Sequence, residues 1–270
     1  MATQNAKDPG LSVPFLAELI VKGGWPALLD DEAATAGQAL RDYLTQVSHV
    51  EVPLGTGRRR DPAKVGALIR SLARNTASEA AITTLAVDAA RAEASLDRDT
   101  ASAYRSALVR LMVVEDQPAW APALRSRVQL RSSPRRHFAD PSLAAAALRA
   151  SAERLLGDLA TMGLLYESMV IGDLRVLSQP LGARVLHYRD NKGLEVDAIA
   201  SCDNGRWGAF EVKLGSTRID DAAENLLAFA KKVDTTVTGE PGVLAVVSGT
   251  GLAYRRNDGV HVVPIGTLGP

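Results

Sequence analysis

The chain has 270 residues, in which 31 lysine and arginine residues balance 31 aspartate and glutamate residues, with one cysteine. This length is enough for two domains, while the zero net charge excludes a protein that is basic throughout and the single cysteine excludes a disulfide-stabilised secreted scaffold or a cysteine-rich zinc module. The N-terminus has no signal-peptide pattern and no apolar run approaches the roughly 18 to 20 residues of a membrane span, so we expect a soluble, cytoplasmic protein without a membrane partner.

Residues 1–57 read as a helical segment, with three basic and seven acidic residues. Ser12 is placed to cap a helix with Pro14 in its first turn, and Gly23 and its glycine neighbour end it. A second helix is predicted over about 31–47. About fifty residues are too few for an independent core, so this segment is expected to pack on another part of the protein.

Residues 58–139 carry the positive charge, with 15 basic and eight acidic residues. Asp61 followed by a proline predicts the start of one helix. Either Thr83 or Thr84 is expected to cap a second helix ending near residue 92. A basic domain between two mildly acidic ones is typical of a surface that faces a polyanion, although a solvated surface gives the same count.

A third helix is predicted over about 99–112, with Ala103, Leu108 and Leu111 facing inward. Three helices followed by an extended stretch are the element order of a winged helix-turn-helix domain. On this interpretation Arg98 and Arg105 lie on the exposed face of the third helix, where they would contact nucleic acid.

The wing candidate spans 117–139, which is rich in arginine and contains no acidic residue. Guanidinium groups spaced along an extended segment suit contacts to phosphates. The candidate contacts are Arg125, Arg127, Arg131, Arg135 and Arg136. Many winged helices mediate protein contacts instead, so a protein-docking role is the alternative to DNA binding.

Residues 140–270 show an alternation of helices and strands. Asp140 before a proline predicts a helix reaching about residue 162, and a further helix covers about 164–177. Three strand-like runs, a helix and two more apolar runs follow, ending near residue 265. The segment is therefore an α/β domain with a mixed sheet.

Its strongest local pattern is Glu211-Val-Lys213, preceded on the previous strand by Asp197. Alternate residues of a strand share a face, so Glu211 and Lys213 project together. A three-residue hairpin loop with Gly205 in the left-handed region places Asp197 opposite Glu211. A two-residue turn instead places Asp197 opposite Val212 and separates the charged groups.

Opposed carboxylates repel each other unless a cation lies between them. Mg²⁺ or Mn²⁺ bound by Asp197, Glu211 and the main-chain carbonyl of Val212 would relieve this repulsion. Lys213 would then orient a water molecule or neutralise charge on a phosphate. The tripeptide is weak evidence by itself, because Asp190-Asn-Lys192 has the same spacing.

The pattern Asp197…Glu211-Val-Lys213 resembles the PD-(D/E)xK nuclease motif, and the αβββαβ order resembles the restriction-endonuclease-like fold. The resemblance implies a further catalytic acid from the first helix, a position that Glu167 occupies. Motifs over essentially the whole chain resemble the C-terminal region of a bacterial and archaeal family of AAA-type ATPases, which ends in a winged helix and a nuclease-like domain of unknown function. The matching segments begin at Gly23, Leu164, His187, Gly193 and Phe210.

The chain departs from that family in one respect, because the phosphate-binding pattern G-x-x-x-x-G-K-[ST] is absent from all 270 residues. No ATP site is visible, and residues 1–57 resemble a remnant or lid of the ATPase module. The first functional hypothesis is a DNA-associated, divalent-metal-dependent phosphodiesterase. The alternative is a non-catalytic DNA- or protein-binding module, partnered by an ATPase or another protein, with an inactive nuclease-like fold.

Overall fold

The computed structural model describes residues 10–51, 61–92, 96–121 and 133–269. The protein combines helices with a mixed sheet, and its described residues form two compact units. The helical unit comprises the described residues within 17–116 and 135–168, and the sheet unit comprises those within 10–16, 117–134 and 169–269. The domain boundaries expected after residues 57 and 139 stay predictions. Within the described ranges, no helix has the length and apolarity needed to cross a bilayer.

The first part of the chain is mainly helical and contains one short two-stranded sheet, formed by β1 and β2. In chain order its elements are α1 (Val13–Lys22), α2 (Ala33–Gln46), α3 (Pro62–Arg74), α4 (Ile82–Ala92), α5 (Arg98–Arg110), β1 (Val114–Gln117), β2 (Arg135–Phe138), α6 (Pro141–Ala147), α7 (Ala152–Leu156) and α8 (Leu159–Ser178). A π-helical turn over Val47–Glu51 follows α2. Helices α1 and α8 each contain residues of both units.

Three predicted helix starts are confirmed by their capping bonds. Ser12 Oγ accepts a hydrogen bond from the Phe15 amide at 3.3 Å, and the Asp61 and Asp140 carboxylates accept from main-chain amides two residues later. Each bond satisfies an amide that has no acceptor within the helix. The predicted threonine cap of α4 is wrong, because α4 begins at Ile82 and both threonines lie inside it.

The predicted inward face of α5 is only partly correct. Leu108 is buried, but Ala103 is exposed, and Tyr104 takes an inward position instead. The helix predicted from Asp140 to about residue 162 is also wrong, because it is divided into α6, α7 and the start of α8. Arg149 has a left-handed φ of 52° after α6, which ends a right-handed helix.

The last part of the chain contains the six-stranded sheet and the helix that covers one of its faces. Its elements are β3 (Ala183–Arg189), β4 (Glu195–Cys202), β5 (Trp207–Lys213), α9 (Ile219–Lys232), α10 (Thr235–Thr238), β6 (Val243–Ser248), β7 (Tyr254–Arg255) and β8 (His261–Pro264). The spatial order is β3-β4-β5-β6-β8-β7. The first three strands are antiparallel, β6 is parallel to both β5 and β8, and β7 is antiparallel to β8. The mixed sheet and its five main strands therefore match the prediction, whereas β7 was missed because it has only two residues.

Helix α9 packs one apolar face on the centre of the sheet. Ile219, Leu226 and Phe229 are buried with Trp207 and Ala209 of β5 in one hydrophobic cluster. Because Trp207 and Ala209 lie on the face of β5 covered by α9, Glu211 and Lys213 also belong to that face by strand alternation. The sheet thus carries two charged side chains toward its covering helix.

Candidate functional site

The hairpin between β4 and β5 has the three-residue loop on which the site depends. The Cys202 amide donates to the Arg206 carbonyl at 2.8 Å, and Gly205 has a φ of 84°. The paired register runs from Ser201 with Trp207 to Ala198 with Phe210. One residue further along this register, Asp197 lies opposite Glu211, so the predicted hairpin is confirmed and the two-residue turn is excluded.

A β-bulge reshapes β4 at the acidic residue itself. Leu186 of β3 pairs with Ile199, whereas Tyr188 pairs with Val196. A single residue of β3 therefore faces two residues of β4, Asp197 and the alanine after it. A bulge adds local twist and redirects a side chain, and bulges are frequent beside active sites. No sequence pattern predicted this irregularity.

Gln117 satisfies the main chain at the bulge. Its fully buried side-chain amide donates to the Asp197 carbonyl at 2.9 Å and to the Leu186 carbonyl at 3.2 Å. These two carbonyls lie where the bulge interrupts the regular ladder, and an unpaired buried carbonyl is costly. Gln117 therefore fixes the backbone that carries Asp197, although the sequence pattern had placed it at the start of a wing.

Asp197, Glu211 and Lys213 form one cluster. The Lys213 Nζ lies 2.6 Å from Glu211 Oε2 and 3.5 Å from Asp197 Oδ2. Asp197 Oδ2 also accepts a hydrogen bond from the Val212 amide at 2.9 Å. The two acidic residues are 9% and 4% exposed, so their charges are largely removed from solvent. The structure thus brings together three of the four residues predicted to be catalytic.

Asn225 of α9 completes the surroundings of Glu211. Its Nδ2 donates to Glu211 Oε1 at 2.9 Å and to the Glu195 carbonyl. Sequence reasoning missed this residue, but a signal was present. Asn225 follows Ala222 by three residues and precedes Phe229 by four, which makes it a polar residue on the apolar stripe of an amphipathic helix.

Burial and the neighbouring acid change the protonation of Glu211. Loss of hydration and, to a smaller extent, the negative charge of Asp197 together raise the pKa of Glu211 to about 7, although the Lys213 ammonium and the Asn225 amide lower it. Two carboxylates brought together in a partly dry environment cannot both remain ionised at low cost. The site therefore stores unfavourable electrostatic energy that a further cation would release.

Ser248 lies beside the cluster at the end of β6. It pairs with Lys213 across the parallel ladder, and paired residues of neighbouring strands share a face. The side chain is 1% exposed, and its Oγ has no hydrogen-bond partner within the described part of the chain. Buried hydroxyls are ordinarily bonded, so this hydroxyl is available to a group bound at the cluster.

Glu167, the fourth predicted catalytic residue, belongs to the helical unit. Its Oε1 accepts a hydrogen bond from Arg135 Nη1 at 3.0 Å, and both side chains are largely buried. The carboxylate is thus neutralised by an arginine of β2. Its participation in catalysis stays a sequence prediction.

The arginines predicted to contact nucleic acid have different surroundings. Arg98 is exposed at the start of α5, whereas Arg105 forms an ion pair with Asp116. Arg135 and Arg136 are only 5% and 7% exposed, and Arg136 donates to the Ala80 carbonyl. This corrects the prediction for the last two, since a buried guanidinium bonded to the protein does not reach a phosphate. Arg125, Arg127 and Arg131 lie outside the described residues.

Two family models match the chain. One is described as "Domain of unknown function (DUF8612)" and matches residues 14–154. The other is described as "Domain of unknown function (DUF4143)", matches residues 162–268, and is known from proteins associated with AAA-type ATPases. No curated protein and no solved structure matches the chain. Because the first match covers more than half of its length, the chain belongs to the DUF8612 family.

Proposed function

We propose that the sheet unit is a PD-(D/E)xK-type domain that hydrolyses phosphodiester bonds of DNA with a divalent metal ion. The observation that carries the proposal is the position of Lys213 Nζ within 3.5 Å of carboxylate oxygens from both Asp197 and Glu211. Two acids and a lysine on adjacent strands are the groups that metal-assisted phosphoryl transfer requires. The confirmed hairpin register supports the same assignment.

The chemistry of the donor set fits Mg²⁺ or Mn²⁺. Within the described residues, no group of three or more His, Cys, Asp or Glu side chains could hold a metal ion. Mg²⁺ nevertheless keeps several water ligands and commonly takes only one or two protein carboxylates. Asp197 and Glu211 would therefore hold the ion, which supplies positive charge for activating water and polarising the phosphate.

The remaining groups have roles that follow from their bonds. The Val212 amide holds Asp197 and Asn225 holds Glu211, so both carboxylates are oriented before substrate binds. Lys213 Nζ is a mobile donor that can leave the carboxylates and neutralise charge on a non-bridging phosphate oxygen. The Ser248 hydroxyl would donate to the same phosphate.

For DNA binding, we propose a winged helix-turn-helix domain in the basic segment over 58–139. The succession of α3, α4 and α5 followed by β1 and β2 supports this assignment, as does the excess of seven positive charges in this segment. The proposed phosphate contacts are Arg98, which is exposed, and three arginines that lie outside the described residues, Arg125, Arg127 and Arg131. Arg105 could contact a phosphate only after breaking its ion pair with Asp116.

The decisive experiment is a cleavage assay on plasmid and short duplex DNA with Mg²⁺ or Mn²⁺. We expect metal-dependent cutting by the wild type and none by Asp197→Asn or Glu211→Gln. Asn225→Ala should retain activity reduced by about 10- to 100-fold, which is typical when the partner of a metal ligand is removed. Glu224→Gln is the matched control, because Glu224 lies on the same helix but is exposed. Cutting that survives both carboxylate substitutions would contradict the proposal.

A second candidate function is that of a non-catalytic docking module, and the position of Lys213 supports it. Lys213 already provides one positive charge between the two acids, and the raised pKa of Glu211 lets this carboxyl group keep a proton near neutral pH, so the fold can form without a metal. The association of DUF4143 with AAA-type ATPases supports an ATPase module as the partner. Salt-sensitive DNA binding without cleavage in either metal would favour this function over the first.

A further inference from the structure

A cavity in the helical unit has a wall of positive charge. Its volume is about 330 Å³, and it is lined by residues of α2, the turn after α2, α3 and the end of α6. Arg41 of α2, Arg70 of α3 and Arg149 in the turn after α6 all line this cavity, as does His49. No acidic residue is among the described residues that line it. None of the proposed catalytic residues takes part.

Two of the arginines lie against their own helices, each near a glycine four residues earlier. Gly37 precedes Arg41 by four residues, and Gly66 precedes Arg70 by four residues. A Cβ at either glycine would lie 3.5 or 3.4 Å from the Nη1 atom of the corresponding arginine. Residues four apart share a helix face, so each guanidinium lies against its own helix, beside the glycine of the preceding turn.

Arg41 is further fixed by its neighbour. Its Nε and Nη2 atoms both donate to Gln38 Oε1, at 3.2 and 2.8 Å. Arg149 differs, because within the described chain its side chain makes no hydrogen bond or ion pair, and its main-chain carbonyl accepts from Arg154. The cavity therefore combines a preoriented guanidinium with one that is available to a ligand.

The three arginines give the lining of this cavity positive charge, which attracts an anionic ligand. Planar guanidiniums bind phosphate through paired hydrogen bonds, and a phosphate monoester carries nearly two negative charges, whereas a carboxylate carries one. Leu44, Ile69 and Ala146 form an apolar part of the wall, which would contact the organic part of such a ligand. The volume lies at the small end of the range for small-molecule sites.

From these observations we propose that this cavity binds a small phosphate monoester, with Arg41, Arg70 and Arg149 around the phosphoryl group and the apolar wall against its organic part. The proposal does not depend on nuclease activity, since it uses other residues and another ligand. It gives the helical unit a small-molecule site that is separate from the DNA contacts proposed for residues 58–139.

The test is calorimetric titration of the full chain with AMP, inorganic phosphate and adenosine, in the presence of EDTA. EDTA removes metal-mediated phosphate binding at Asp197 and Glu211. We expect AMP and phosphate to bind, AMP more tightly, and adenosine not to bind. Binding of adenosine as tightly as AMP, or no binding of AMP and phosphate at about millimolar concentration, which is the weakest affinity expected of a specific site, would overturn the proposal.

Variants locate the binding to the cavity. Arg149→Ala and Arg41→Gln should each weaken AMP binding by about tenfold or more, the effect of losing one charge-assisted hydrogen bond. Arg149 is exposed and lacks a side-chain bond to the described protein, so its removal should leave the thermal unfolding midpoint unchanged. Arg110→Ala is the matched control, because Arg110 is an exposed arginine of the same unit that does not line the cavity. Equal affinity of the wild type and both cavity variants would overturn the assignment.

Discussion

Each unit of the protein buries a carboxylate, but with opposite surroundings. In the helical unit Glu167 faces the buried guanidinium of Arg135 at 3.0 Å, and the two charges cancel. In the sheet unit Glu211 faces a second acid, Asp197, which raises its pKa while the shared Lys213 only partly compensates. A buried charge with its own opposite partner supports the fold, whereas two like charges held by surrounding donors weaken it. This difference supports the proposal that the metal-dependent site lies in the sheet unit.

The largest expected effect comes from breaking the balanced pair. Glu167→Gln leaves the Arg135 guanidinium buried without its carboxylate, and removal of one partner of a buried ion pair costs about 3 to 5 kcal/mol. We expect the free energy of unfolding, measured by urea denaturation at neutral pH, to fall by this amount. Glu18→Gln, at an exposed position of α1, should change it by less than about 0.5 kcal/mol. Equal stability of the two variants would show that the pair is not structural.

The two neighbouring acids of the sheet unit, Asp197 and Glu211, should make the free energy of unfolding depend on pH. Because the pKa of Glu211 is raised from its usual value near 4.5 to about 7, the folded protein retains a proton that the unfolded chain has already released. The contribution of Glu211 to the free energy of unfolding is therefore fully present below about pH 4.5. It decreases as the pH rises to about 7, by at most about 3 kcal/mol. Beyond the folded pKa the contribution is constant.

The measurement is the free energy of unfolding at about pH 5 and about pH 8, for the wild type and for Glu211→Gln. The glutamine variant lacks the titrating group, so its stability should decrease less between these two conditions. The difference between the two slopes isolates Glu211 from the other carboxylates. Identical slopes would contradict the raised pKa.

The sequence was sufficient to predict the main strands of the sheet unit and the hairpin that brings the two acids together. Gly205 and its two preceding polar residues predict the hairpin loop, the loop sets the register, and the register predicts the meeting of Asp197 with Glu211. It was insufficient where tertiary contacts decide. In the sequence, Arg135 and Arg136 cannot be distinguished from exposed arginines that contact phosphate. Only the packing of the folded chain shows that both are buried.

Tertiary contacts also explain why sequence reasoning missed other residues of the site. Gln117 reaches the Asp197 carbonyl across 80 positions of sequence, so local periodicity carries no information about it. The β-bulge at Asp197 depends on how two strands pair, and strand pairing is non-local. Asn225 alone left a local signal, a polar residue within an apolar helical stripe.

Gln117 allows a smaller and more specific perturbation of the acidic pair. Gln117→Ala leaves the buried carbonyls of Leu186 and Asp197 without their donor, which should lower the free energy of unfolding by about 1 to 3 kcal/mol. Because the carbonyl of Asp197 belongs to the bulge, the same variant should also reduce any metal-dependent DNA cleavage. Gln179→Ala, at an exposed position after α8, is the control for both measurements. Loss of stability with unchanged cleavage would show that the bulge does not position Asp197 for catalysis.

The smallest effect compares two buried serines under the same substitution. Ser71 Oγ donates to the Leu85 carbonyl at 3.0 Å, so Ser71→Ala removes a bond and should lower the free energy of unfolding by about 1 kcal/mol. Ser248 Oγ has no partner among the described residues, so Ser248→Ala removes only the cost of burying a hydroxyl and should raise stability by up to about 1 kcal/mol. If this hydroxyl serves a ligand of the acidic cluster, the stabilised Ser248→Ala protein should cleave DNA more slowly. A gain in stability without loss of cleavage would remove Ser248 from the site, and a loss of stability would show that its hydroxyl supports the fold as that of Ser71 does.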